Sequence, residues 1–239
     1  MKKKLVLSLL LLILLTGCRS FILKTMVSKS VEIEVLYNKE KDKKLVLLPM
    51  VHLNHPEFFE DVKHKLDSLR DDGYSVFYET VQLDSTLYAS KEIDTITRKW
   101  RKIVGFHLTK YDDSENKSLP RALRNNKYVA QTKKNIGLKK QDRKIDVPID
   151  TLIQVFEIKY DEVRLSPCDF LTDLKAEYNC GKTPLHQRKY ILLKVRNQYI
   201  ENKVLQSKDK KIALVYGKDH FKELKQSFQN QGYQLKNKK

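Results

Sequence analysis

Long apolar runs are scarce in this 239-residue chain. The one sustained run, Leu5 to Leu15, is shorter than the ~20 residues an ordinary membrane-spanning helix needs. No long repeat is present. No linker-like stretch divides the chain, and low complexity is confined to its lysine-rich end, so nothing marks a second domain. Cysteine is limited to three residues and tryptophan to one. Acidic residues are outnumbered: 47 Lys and Arg face 30 Asp and Glu, a formal charge of +17. The interleaved basic and stacking aromatic residues of RNA-binding modules are missing. The lysines are instead scattered through "KDKK", "RNNK", "KKQDRK" and "KNKK", which describes a solvated basic surface suited to lying near a membrane. What is present is enough chain for one substantial domain with a sizeable core.

The chain opens "MKKKLVLSLLLLILLTGC". Three lysines, a short apolar run and small residues before a cysteine make a basic n-region, an h-region and a cleavage site. "LTGC" resembles a bacterial lipobox. That implies a lipoprotein signal peptide over 1–17, acylation of Cys18, a tether over 18–30 and a domain over 31–239, held on the extracytoplasmic side of a bacterial cell envelope. The plainer alternative is an ordinary signal peptide or an uncleaved anchor. Cleavage removes Lys2, Lys3 and Lys4 and lowers the positive charge by three. With Cys18 set aside, Cys168 and Cys180 remain as an even pair bracketing "CDFLTDLKAEYNC". In an oxidising compartment they are candidates for a disulfide; two buried thiols are the alternative.

The pattern along the chain alternates strands and helices. "VEIEVLY" (Val31–Tyr37) and the continuous apolar run "LVLLPM" (Leu45–Met50), joined by a polar turn, predict a β-hairpin. Phe58, Phe59, Val62, Leu66 and Leu69 fall on one helical face, with Pro56 opening the helix and Gly73 closing it. "YSVFYE" (Tyr74–Glu79) reads as a strand ending on a carboxylate. Helices are expected from Asp84 or Ser85 to about Ile103, from roughly Pro120 to Asn135, and over "IDTLIQVFEIKYDEV". The longest is expected over "PLHQRKYILLKVRNQYIENKVLQS". "KIALVYG" is the last clear strand, and "HFKELKQSFQNQGY" is an amphipathic helix. Strand followed by helix at both ends of the chain predicts an α/β fold.

In open α/β sheets, sites form beyond the carboxyl ends of strands. Three titratable residues are expected there: His52, Glu79 and His220. Two imidazoles and a carboxylate can hold a zinc ion with a position left for water. Such an ion polarises a carbonyl and brings its water's pKa to about 7, the basis of metal-assisted hydrolysis. The bland reading is that each histidine is a polar strand cap and Glu79 a solvated charge.

"IALVYGKDHFKELKQSFQNQGYQL" resembles the C-terminal motif of the TraB/GumN family, which includes the Tiki proteins: an apolar strand, Gly-x-x-His, a helix and Gly-Tyr. "KVRNQYI" is similar to the family's Arg-Asn pair on the preceding long helix. "LVLLPMVHLNHPEFFEDVKHKL" resembles its first strand, Gly-x-x-His and helix, and "VFYE" the strand ending in its glutamate. The likeness runs from about Val31 to Tyr233. It implies a mixed central sheet flanked by helices (EreA/ChaN-like) with a mostly helical middle insertion. It also implies a lipid-anchored, metal-dependent peptidase acting on peptide or protein substrates. His52, Glu79 and His220 would hold a divalent metal (Zn, Mn or Co), Glu79 would be third ligand or general base, and Arg196 and Asn197 would shape the pocket. One departure is visible: Pro49 stands where the family has glycine, and proline fixes φ and removes an N–H. That motivates the alternative of a non-catalytic lipoprotein on the same fold, binding haem, peptide or metal.

The other candidates carry two readings each. His55 either caps the helix opened by Pro56 or lies near the site. Asp219 either orients His220 from behind or caps the final helix. His64 is expected on a solvated helix face, His107 in a polar connection, His186 near a helix start, and Trp100 in the core.

Overall fold

The computed structural model describes residues 28–106, 128–181 and 183–236. The expected signal peptide, Cys18, most of the tether and His107 lie outside these residues. Strands β1 (Glu34–Asn38) and β2 (Lys43–Met50) form the expected antiparallel hairpin, with Glu34 opposite Leu47 and Asn38 opposite Lys43. A two-residue strand β3 (Leu53–Asn54) precedes α1 (Pro56–Asp71). Proline at the first turn is pre-set for a helix start, and all five residues of the expected apolar face are buried. Gly73, at φ 81°, supplies the left-handed turn that ends α1. Strand β4 (Ser75–Tyr78) follows and stops immediately before Glu79.

The middle of the chain is a short 3-10 turn (Ser85–Leu87) and α2 (Ser90–Val104), then β5 (Val129–Ala130), β6 (Arg143–Lys144) and α3 (Ile149–Tyr160). Asp84 caps only the 3-10 turn, accepting from Thr86 N at 3.1 Å, and the helix proper starts later than the pattern suggested. The helix expected over Pro120 to Asn135 is corrected where it is described. Residues 129–130 pair with β3, and Thr132 and Asn135 exchange side-chain-to-backbone bonds in a turn. Such bonds compete with helix formation.

A short helix α4 (Pro167–Leu171) leads to α5 (Leu185–Lys189), a π-helical segment (Tyr190–Val195) and α6 (Arg196–Gln206). The longest expected helix is therefore one rod carrying a π segment just before Arg196. The chain closes with β7 (Lys211–Gly217), α7 (Lys218–Asn230) and β8 (Gln234–Leu235).

The sheet order is β6-β4-β7-β2-β1-β8. Strands β6, β4, β7 and β2 run parallel, while β1 is antiparallel to both its neighbours, so the sheet is mixed and the fold α/β. Strand β7 lies between β4 and β2, and five consecutive residues, Ile212–Tyr216, are buried. A central parallel strand covered on both faces reads as a continuous apolar run for this reason. Alternate residues then point to opposite layers. Val46, Leu48, Val76, Ala213 and Val215 pack with Phe59, Val62 and Leu66 of α1. Leu45, Leu47, Phe77, Leu214 and Tyr216 pack with Ile200 and Val204 of α6 and Leu224 and Phe228 of α7. A separate core joins α2, α3 and the π segment through Trp100, Ile103, Leu152, Phe156 and Ile191. Each fully buried aliphatic side chain of this kind contributes about 1.5–3 kcal/mol. Among the described residues, no helix is long and apolar enough to cross a membrane.

Candidate functional site

Because four strands run parallel, their carboxyl ends share one edge of the sheet. Glu79 follows β4 there, Asp146 follows β6, Gly217 ends β7, and His52 lies two residues past the end of β2. Glu79 extends the ladder with its backbone N–H on Val215 O at 3.0 Å. Its carboxylate is bound on both oxygens. Arg196 Nη2 donates to Oε1 at 2.5 Å, and the Gly217 backbone N–H donates to Oε2 at 2.6 Å.

Arg196 comes from the first turn of α6 and is buried, 4% exposed. It spans two carboxylates. Its Nε and Nη2 donate to Asp146 Oδ1 and Oδ2 at 2.9 and 2.8 Å, a bidentate pair, while Nη2 also reaches Glu79. Asp146 is buried as well and accepts from the backbone N–H groups of Thr80 (3.1 Å) and Val147 (2.9 Å). Burial alone would raise the Glu79 pKa. The Arg196 charge and the His220 ring outweigh it and hold the carboxyl well below the usual range. Burial likewise works against the Arg196 charge, and Glu79 and Asp146 overcome it, raising the Arg196 pKa.

His220 sits in the first turn of α7, 3% exposed. Its Nδ1 contacts Asn197 Oδ1 at 2.6 Å, and Asn197 Nδ2 donates to Glu223 Oε2 at 3.1 Å. A carboxylate only accepts, so the amide is turned with its oxygen toward the ring and His220 Nδ1 is the donor. The other nitrogen, Nε2, faces Glu79 Oε1 at 3.6 Å. Asn197 therefore takes the orienting role that the sequence offered to Asp219. Asp219 is exposed in the first turn of α7 and does not occupy the cap position, which is Gly217.

Gly217 is placed by proximity and not by backbone freedom. A Cβ there would lie 3.2 Å from Glu79 Oε2 and 3.7 Å from His220 Cδ2. Glycine lets the strand backbone approach the carboxylate.

The two histidine motifs have different local structure. At Gly217 the chain turns straight into α7, which folds His220 back over the sheet edge. At Pro49 the strand continues to Met50, opposite Gly217, and β3 intervenes before α1 begins. His52 is exposed, and its carbonyl accepts from Gln131 N at 2.8 Å. His55 occupies the cap position of α1 but makes no side-chain cap bond; its ring lies against Tyr128, centroids 4.8 Å apart.

The structure thus gathers Glu79, Arg196, Asn197 and His220, with His52 following the end of the neighbouring strand β2. Among the described residues, no group of three or more His, Cys, Asp or Glu is placed to hold a metal ion. Both Glu79 oxygens already accept, and Arg196 supplies the positive charge a metal would bring. Of the three expected ligands, Glu79 and His220 are within 3.6 Å of each other. Asp146 was missed in the sequence because β6 is two exposed residues long, so no apolar run marks the strand that Asp146 follows.

Cys168 and Cys180 are joined by a disulfide. Its loop is pinned from below: Arg98 and Arg101 donate to the carbonyls of Asp169 and Thr172, and Lys102 pairs with the Asp169 carboxylate at 2.7 Å. Trp100 is buried in the helical core, and His64 and His186 are exposed.

No protein-family model, curated protein or solved structure matches this chain.

Proposed function

We propose that the protein is a lipid-anchored, extracytoplasmic binding protein whose ligand docks at the carboxyl edge of the sheet, over Glu79 and His220. One observation carries this reading: the Glu79 carboxylate is held on both oxygens by Arg196 and Gly217. A general base at neutral pH needs a pKa near 7. A carboxyl kept well below its ordinary value is a weak base. A three-ligand metal is not supported either, so the two reactive roles open to Glu79 lose their footing. Recognition remains: the Glu79 side chain is 21% exposed at the carboxyl edge of the sheet, the place where open α/β sheets bind ligands. Anchoring through Cys18 rests on the lipobox-like sequence alone.

The second reading is a metal-dependent peptidase of the TraB/GumN type, with an EreA/ChaN-like sheet and the helices between β4 and β7 as its insertion. The convergence of Glu79, Arg196, Asn197 and His220 favours it, since these four match motif positions of the resemblance.

The test uses full-length protein in detergent, with a mixed peptide pool, haemin, and Zn²⁺, Mn²⁺ or Co²⁺. The binding reading expects a saturable ligand, lost in His220→Ala, and no cleavage under any metal. Metal-stimulated peptide cleavage that His220→Ala abolishes overturns it in favour of the peptidase.

A further inference from the structure

The tetrapeptide "KDKK" occurs twice in the chain, at Lys41–Lys44 and at Lys208–Lys211. In the fold the two copies lie side by side. Each leads into a central parallel strand, β2 or β7, and Lys44 stands in register with Lys211. The Lys44 backbone N–H donates to Lys210 O at 2.7 Å, and Lys210 Nζ donates to Lys41 O at 3.0 Å. Like charges on adjacent strands repel, so this pairing costs the sheet stability.

The lysine charges are oriented but not cancelled. Lys43 Nζ donates to Val204 O (3.1 Å) and Ser207 O (2.7 Å), and Lys211 Nζ to Asp72 O at 2.7 Å; all three acceptors are backbone carbonyls. Lys44 Nζ lies over the Tyr37 ring, 6.0 Å from its centroid, and Lys41 and Lys208 are exposed. Of the two aspartates in the motif, Asp209 is spent on Arg143, Ser75 and Ser207. Glu40, Asp42 and Asp72 are exposed carboxylates nearby. Among the described residues, no ion pair joins any lysine of the two motifs to a carboxylate. Burial lowers the Lys43 pKa against the pull of Asp209, and the charges of Lys41 and Lys210 lower it further.

We propose that the paired KDKK segments dock on the anionic phospholipid headgroups of a membrane. The surface is separate from the ligand site: β2 and β7 run parallel, so their amino ends lie at the edge opposite Glu79 and His220. Lysine is a point charge on a flexible stem and lacks the planar fork by which arginine fixes one phosphate. Lysines spread over two adjacent turns suit a field of headgroup phosphates, which attracts clusters of roughly four to eight basic residues. The chain before the domain fits the same partner. Val31 N–H is fixed on Asp61 of α1, and α1 runs from there to Asp71, about 15 Å at the helical rise, ending beside Lys211. Residues 18–30 can span up to about 45 Å, so an acyl group on Cys18 reaches a membrane lying against this edge. Docked this way, the carboxyl edge faces away from the membrane.

The experiment adds full-length protein to preformed vesicles of phosphatidylcholine, with and without phosphatidylglycerol. Lysines are labelled with a membrane-impermeant amine reagent and read one by one by mass spectrometry. Lys41, Lys208 and Lys210 are expected to label at least about fivefold more slowly on the anionic vesicles. Lys218, exposed just past the carboxyl end of β7, is expected to be unchanged. High salt should restore labelling, and Lys41→Glu with Lys208→Glu should cancel the protection of Lys210. The comparison of vesicles on unaltered protein stands even where the variant fails to fold. Equal labelling on both vesicle types overturns the proposal, as does protection centred on Lys218 or protection of Lys210 kept in the double variant. Protection by inositol hexakisphosphate in solution, with none on anionic vesicles, overturns it in favour of a soluble phosphate ligand. Flotation with phosphatidylcholine vesicles reports the Cys18 anchor by itself, so failure of the anchor and failure of the lysine surface are read separately.

Discussion

Gly217 donates its backbone N–H to Glu79 Oε2 at 2.6 Å, and a Cβ on Gly217 would lie only 3.2 Å from that same oxygen. The contact sets glycine at this point for reasons of space. Two effects oppose each other in Gly217→Ala. The backbone, at φ −51°, suits alanine, and restricting the unfolded chain gains about 0.4–1 kcal/mol. Crowding a packed position costs about 1–3 kcal/mol. Glu79 cannot retreat freely, because Arg196 holds its other oxygen at 2.5 Å. The crowding is expected to win, with a net loss of about 1 kcal/mol in urea unfolding. An alanine variant more stable than the parent would show that the carboxylate can move aside.

Asp146 and Arg196 tie three separated segments together: the end of β6, the start of the chain beyond β4, and α6. Removing one partner strands the other as an unpaired buried charge, at a cost of about 3–5 kcal/mol. Asp146→Ala and Arg196→Ala are each expected to lose this much, and the double variant clearly less than their sum. Denaturant midpoints for the cycle read the coupling. Strict additivity would mean the bidentate pair contributes nothing of its own. Arg196→Lys is expected to fail as a rescue, since an ammonium cannot reproduce the planar fork.

Acid should unfold the protein through Glu79. Its carboxyl is held below the ordinary value in the folded state: burial works against this, and the Arg196 charge with the His220 ring overcomes it. A depressed folded pKa means the folded state binds the proton less readily than the unfolded chain. The contribution is therefore fully present above the unfolded pKa, near 4.5, and is lost as pH falls below it toward the folded value. Glu79→Gln is expected to flatten the stability profile between pH 5 and the acid limit while changing little of its slope above neutrality. A variant profile parallel to the parent in acid would remove Glu79 from the linkage.

The strands legible in the sequence were those with apolar runs. "KIALVYG" and "LVLLPM" could be placed because both faces of a central parallel strand are covered, and the strand end then located Glu79 and His220. The face of α1 was legible because Phe58, Phe59, Val62, Leu66 and Leu69 repeat at helical spacing. What escaped notice lacked such a signal. Asp146 follows a strand of two exposed residues, held only by its pairing with β4. In the described part of the helix expected over Pro120 to Asn135, pairing with β3 and a Thr132–Asn135 turn replace the helix. His52 and His220 looked equivalent in sequence. A single glycine turning directly into a helix separates them, and at Pro49 the strand runs on instead.

The Cys168–Cys180 bond closes a short loop, with the two residues 12 apart in sequence. In the chain-entropy account, a loop of this length contributes about 3 kcal/mol by restricting the unfolded state. The folded loop has independent supports. Arg101 donates to Asp169 O, Thr172 O and Asp173 O, and Asp169 is held by Lys102, Tyr178 and Ser166. Cys168→Ser with Cys180→Ser should therefore lower global stability by about that amount without moving the loop. Hydrogen exchange at the amides of 166–180 reads the local effect, and the urea midpoint reads the global one. The double serine variant combined with Arg101→Ala should lose the loop itself, because the guanidinium that gathers three of its carbonyls is then gone. If the serine variant alone exposes those amides to fast exchange, the arginine cradle is not sufficient and the covalent bond is what holds the folded loop.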